Sequence, residues 1–422
     1  MVDVLLPLFG RNPTMWVVEL IAHLITILII LLVSVGTMML MVWFERRVVA
    51  RMQDRLGPNR VGPAGLLQSI ADGVKMFTKE DIVPRAADPW VHLLAPIVTV
   101  TPVVLMMAVI PWGKDIVPVE FRNGVLFVMA VSSISAVGLM MAGWGSANKF
   151  ALLGAMRAVA QLVSYEIPAV LAVLSVVIIT GTMQLTQLPE SQAGLPIVGT
   201  TLGIDLGLGW WVFTPVGLCG FVVFFISALA EGERTPFDIP EADSEIVAGH
   251  TTEYSGMKFA LFYIGQYVLN FALSMFGAII FLGGWQGPGV SQLSAVSPIA
   301  GSVLSLIYLQ LKVWGLFFVM VWLRGTLPRL RVDQLMDFAW KFLLPLALLN
   351  LASAALWVSL TQWGADQGFG FVANLSPVVR QVIAVVVSAI ISGSAAWWLL
   401  QLNQAEQHEA DASNGEELAP SV

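Results

Sequence analysis

The chain has 422 residues, of which 57% are hydrophobic and only 12% charged, with a net charge of −7 and a mean hydropathy of +0.81. Soluble domains carry about 25% charged residues, so this composition excludes a soluble globular protein and predicts an integral membrane protein. Alternating segments of about ten residues, the mark of an outer-membrane barrel, are absent, which leaves an all-α, polytopic fold.

A membrane-crossing helix needs about 20 apolar residues. Nine stretches meet that need: Trp16–Phe44, Trp90–Ile110, Val125–Trp144, Met156–Thr180, Trp211–Leu229, Phe259–Leu282, Val303–Trp322, Trp340–Leu360 and Val378–Leu400. The first is long for a signal-peptide core and runs into charged residues without a small-residue cleavage site, so it is expected to stay as a helix. Sixteen of the 21 Lys and Arg residues lie in or beside the segments that follow the first, third, fifth and seventh stretches. By the positive-inside rule the N-terminus is outside and the C-terminus is in the cytoplasm. Residues 1–402 read as a single membrane domain, and 403–422, an acidic tail among Gln, Ala, Ser and Asn, as disordered. The one cysteine, Cys219, falls in the fifth stretch, so neither a disulfide nor a thiolate-held metal cluster forms within the chain. Phosphate-binding glycine loops and haem-attachment motifs are absent.

Three segments on the predicted cytoplasmic side are too rich to be plain connectors. The first, Glu45–Asp88, opens ERRVVARMQDRLGPNRVGP and continues AGLLQSIADGVKMFTK. In the latter, Ala64–Lys79, residues Leu66, Leu67, Ile70, Val74 and Phe77 share one helical face, so a short amphipathic helix in the membrane surface is expected. Arg46, Arg55, Asp72 and Lys75 are its candidate polar groups. Read from composition alone, such residues are more often snorkelling cations and a solvated face.

Further along, the fourth stretch holds Glu166 in SYEIP, a carboxylate within a span and so a functional candidate; Pro168 is expected to kink the helix there. The second rich segment, Leu229–Met257, holds seven carboxylates, Glu231, Glu233, Asp238, Glu241, Asp243, Glu245 and Glu253, against one basic residue, Arg234. Crowding carboxylates beside hydrocarbon raises their pKa values towards neutrality, which points to proton handling; a solvated acidic surface for a basic partner is the other reading. Lys312, in the middle of the seventh stretch, is paired or functional, with no partner evident from sequence. The third rich segment, Arg324–Lys341, is basic.

These stretches resemble a known family, the H component (also called subunit 1) of respiratory complex I, the proton-translocating NADH:quinone oxidoreductase. The resemblance is carried by ERRVVARMQDRLGPNRVGPAGLLQSIADGVK (Glu45–Lys75) and RTPFDIPEADSEIVAGHTTEYSG (Arg234–Gly256), supported by ALLGAMRAVAQLVSYEIP (Ala151–Pro168) and RGTLPRLRVDQLM (Arg324–Met336). It implies a quinone-binding wall that includes Arg46, Arg55, Asp72, Lys75 and Arg234. It also implies a proton path through Glu166, Glu231, Asp238, Glu241, Asp243, Glu245 and Glu253. Quinone would be the substrate, with FMN and iron–sulfur clusters on partner subunits. The partners implied are the other membrane and peripheral subunits, including the iron–sulfur subunit nearest the quinone, and membrane lipid, but not nucleic acid. A bacterial plasma membrane is implied, since the ninth span and tail extend beyond the shorter organellar form. Two departures stand out: Asp243 shortens the family's usual Glu-Ala-Glu, and Gln266 stands where a Glu precedes Tyr. A related hydrogenase anchor and a free-standing cation/proton antiporter are the alternative readings.

Overall fold

The computed structural model describes residues 15–194, 207–239, 247–361 and 377–417. Among them the regular structure is helical throughout, with no strand. Eight helices are long and apolar enough to cross a membrane, so the protein is an all-α, multi-pass membrane protein. The seventeen-residue helix Pro215–Glu231 is a ninth apolar element. At about 25 Å it is at the short limit for a span, and it corresponds to the fifth predicted stretch.

The first span, α1 (Met15–Met52), runs eight residues beyond its predicted apolar end. The surface helix α2 (Gln68–Thr78) starts later than predicted, because Ala64 and Gly65 both hold positive φ and cannot continue a helix. Its Ile70, Val74 and Phe77 are exposed, while Ser69 donates to the Met39 carbonyl at 2.9 Å and fastens the helix to α1. The second span, α3 (Pro89–Val109), is capped by Asp88, whose carboxylate accepts from the amides of Trp90 and Val91. The third span is interrupted: α4 (Gly124–Ser132) and α5 (Ile134–Gly145) meet at Ser133.

Next comes α6 (Lys149–Thr180), which runs through Pro168, is capped by Asn148 and ends at left-handed Gly181. It packs on α5 and on α7 (Pro215–Glu231). The sixth span, α8 (Gly256–Phe281), is the axis of the bundle: it touches α1, α3, α7 and the seventh span, α9 (Pro298–Thr326). Of its apolar window 89% is buried, against 22% for α1, so α8 is walled by protein and α1 lies at the rim. The eighth span, α10 (Val332–Thr361), contains a π-helical turn at Phe338–Leu343. The last helix, α11 (Pro377–Glu417), packs on α10 and carries on into the acidic segment for which composition predicted disorder. Ala, Glu and Gln in AEQHEADASNGEE favour helix, which offsets the missing apolar face.

Lys312 of α9 has its partners in this architecture. Its ammonium donates to the carbonyls of Leu282, Gly284 and Gln286 at 2.6, 2.8 and 2.7 Å and lies 4.2 Å from the Trp210 ring centre. It therefore caps the carbonyl end of α8, where a cation is favoured by both orphan acceptors and the helix dipole.

Candidate functional site

The three rich segments meet at one end of the bundle, tied by ion pairs. About two turns before the end of α1, Glu45 is buried; Arg234 Nη1 donates to its Oε2 at 2.6 Å, and Arg324 donates to its Oε1. Arg234 is only 3% exposed. Its guanidinium lies over the Tyr267 ring at 4.4 Å, a cation–π contact in a desolvated setting. Burial works against its charge, but the Glu45 carboxylate more than offsets this and holds the pKa above the usual arginine value. Beside this clasp, Arg329 Nη2 donates to Asp238 Oδ2 at 3.0 Å. Burial still raises the Asp238 pKa, with Arg329 and Arg324 pulling the other way. The basic third segment thus folds onto the acidic second one, and the Leu330 amide donates to the Pro236 carbonyl at 3.1 Å.

Two staples turn the acidic segment inward. Gln161 of α6 donates to the carbonyls of Ala230 and Phe237 at 2.8 and 2.7 Å. Gly232 packs so closely on Asn270 of α8 that a Cβ there would lie 2.1 Å from Oδ1. Consequently Glu231, Glu233 and Asp238 are buried, although they belong to a connecting segment. Glu231 and Glu233 line one cavity with Thr99, Ser135, His250 and Gln266. Glu166 is close enough for its charge to act on Glu231. The interrupted third span serves both acids: Ser133 donates to Glu166, and the Ser132 hydroxyl lies beside Glu231.

Of the residues assigned by resemblance to a quinone wall, Arg46 and Asp72 meet at 2.6 Å on a half-exposed edge, and Gln68 supports Asp72 at 3.2 Å. Arg55 instead donates to Gln53 in the turn after α1, and Lys75 is exposed on α2. Arg234 sits apart from this edge, inside the clasp. Of the acids assigned to a proton path, Glu166 and Glu231 come together. Asp238 belongs to the clasp, and Glu253 accepts from Asn148 at 2.7 Å. Glu241, Asp243 and Glu245 lie outside the described residues.

Sequence reading missed several members. Glu45 stood next to Arg46 and Arg47, which masked it as one more charge in a polar run; an acid at the tip of a long apolar span was the available signal. His250 gave none: it lies among small polar residues, yet it is 2% exposed and its Nδ1 has no protein partner. Burial pushes its pKa down to about 4. Gly154 and Gly249 make room for it, since a Cβ on Gly154 would meet the Gly249 Cα at 2.6 Å.

The family model described as NADH dehydrogenase matches residues 25–355. The H component of NADH-quinone oxidoreductase from Dehalococcoides mccartyi strain CBDB1 is 45% identical over 334 residues, which is 79% of this chain and 86% of that one. Its counterpart in a second strain of the same organism is 45% identical over 338 residues, 80% of this chain and 86% of that one. The buried clasp, the inward-turned acids and the edge formed by α1 and α2 all lie within the matched residues, and the chain belongs to the NADH dehydrogenase family, whose members include the H component of NADH-quinone oxidoreductase.

Proposed function

We propose that this chain is the membrane subunit that forms the quinone chamber of a proton-translocating NADH:quinone oxidoreductase and couples quinone reduction to proton movement. The observation that carries the reading is the inward turn of the acidic segment. It places Glu231 and Glu233 in one cavity and puts Glu231 within electrostatic reach of Glu166. Acids held in low dielectric respond strongly to charge formed nearby, so a quinone gaining electrons at the adjoining edge would draw protons towards itself. Arg46 and Asp72, with the apolar faces of α1 and α2, offer polar groups beside an apolar surface, as a headgroup with a long tail requires. In this reading FMN and iron–sulfur clusters belong to partner subunits, and the iron–sulfur subunit nearest the quinone docks on the three charged segments. Those segments face the cytoplasm, and the membrane is a bacterial plasma membrane.

The test is substitution at the edge in the assembled complex. Asp72→Asn and Lys75→Met should each lower NADH-driven quinone reduction about tenfold or more, the worth of one charge-assisted hydrogen bond. NADH oxidation with an artificial acceptor should be unchanged. Equal loss of both activities would show that these residues serve assembly, and the quinone-wall assignment would fall.

A further inference from the structure

On the outer side of the bundle, α1 and α9 leave a groove of about 520 Å³, lined by Trp43, Phe44, Val48, Met52 and Phe318, with Arg47 and Arg51 along its border. The two arginines are four residues apart, hence on one face of the last turns of α1. Arg47 lies 5.3 Å from the Trp43 ring centre, which holds its guanidinium over the groove. Four other arginines at this end are paired with carboxylates: Arg46 with Asp72, Arg234 and Arg324 with Glu45, and Arg329 with Asp238. Among the described residues, no carboxylate reaches ion-pair distance of Arg47 or Arg51. The helices that build the groove lie at the rim of the bundle, with 22% and 28% of their apolar windows buried, and Phe318 on the groove wall is exposed.

Two cations with no carboxylate partner among the described residues, at the polar end of an aromatic groove, call for a ligand with a negative head and an apolar body. We propose that this groove is a binding site for one anionic phospholipid, its phosphate on Arg47 and Arg51 and its acyl chain along Trp43, Phe44 and Phe318. Basic pockets between spans near a membrane surface bind such headgroups, and two planar guanidinium forks suit phosphate geometry better than ammonium groups. A quinone carries no negative head, and an acidic peptide would leave the apolar floor uncovered, so charge and apolarity together select the lipid. The site is separate from the Arg46–Asp72 edge.

The test uses the purified complex reconstituted in phosphatidylcholine vesicles containing a trace of photoreactive phosphatidylglycerol or photoreactive phosphatidylcholine. Cross-links are mapped by peptide mass spectrometry. Phosphatidylglycerol should label peptides carrying Trp43 and Phe318 well above phosphatidylcholine. Each arginine replaced by glutamine should cut that preference about fivefold, and Arg47→Gln with Arg51→Gln about 30-fold, at roughly 1 kcal/mol per cation. Equal labelling by the two lipids would overturn the site as specific. So would absence of label with a partner subunit cross-linked there instead. The wild-type comparison of the two lipids decides the matter even where a variant fails to assemble.

Discussion

Glu45 shows how much one side chain carries here. It is the shared acceptor for Arg234 and Arg324, and with Arg234 it is almost wholly withdrawn from solvent. Removing one member of a buried pair leaves the other charge uncompensated and costs about 3–5 kcal/mol. Glu45→Ala should therefore lower the thermal denaturation midpoint of the subunit sharply, whereas Glu45→Met combined with Arg234→Met should restore much of it. His250 makes a second prediction, with the opposite dependence on charge. Its pKa falls from about 6.5 in an unfolded chain to about 4 in the fold. Between those values the unfolded state binds more protons, so this contribution is whole above pH 6.5 and declines as pH drops to 4. The full loss is on the order of 3 kcal/mol, and His250→Asn should flatten the fall in denaturation midpoint over that window. Charge crowding pointed to Glu231, Asp238 and Arg234 from sequence because acids next to hydrocarbon are costly and therefore conspicuous. Glu45 and His250 escaped because their settings are made by residues distant in the chain. For Glu45 these are Arg234, 189 positions on, and Arg324, 279 positions on.

At the scale of elements, long apolar runs fixed the spans because a bilayer demands length and hydrophobicity together. The exceptions have local causes. The helix α7 is short because a turn follows at once, Gly232 being pressed against Asn270. The break at Ser133 was illegible, since two serines in an apolar run do not forbid helix; both hydroxyls donate back to the Met129 carbonyl, and Ser133 also donates to Glu166. Lys312 was visible but unexplained, because its acceptors are backbone carbonyls at the end of α8, and a side-chain pattern cannot display those. Lys312→Met should leave three carbonyls short of a donor and cost about 1.5–3 kcal/mol for each charge-assisted bond not replaced by water. Faster hydrogen exchange at the Leu282 end of α8 would register it, with the Gly256 end unchanged.

For the whole molecule, the proposed coupling requires that the buried acids matter for protons more than for electrons. Glu231→Gln in the assembled complex should keep most NADH-driven quinone reduction but lower protons moved per NADH, measured by dye response in sealed vesicles. A parallel fall in both, with the ratio intact, would remove Glu231 from the path. Fold class and membership in the family were legible from the chain, as was the identity of the three charged segments. Their mutual arrangement was not, since ion pairs such as Lys258–Asp81 at 2.9 Å depend on the packing of whole spans.

The clasp also sets a timetable for biogenesis. Glu45 emerges from the ribosome 279 residues ahead of Arg324, which at about 5–20 residues per second is a delay on the order of 15–55 s. Until Arg234 emerges, 189 residues after Glu45, the carboxylate has neither counter-charge, and from then until Arg324 it has one of the two. Nascent chains arrested before position 324 should thus be preferred clients of membrane insertases and quality-control proteases, and those released just after it should escape them.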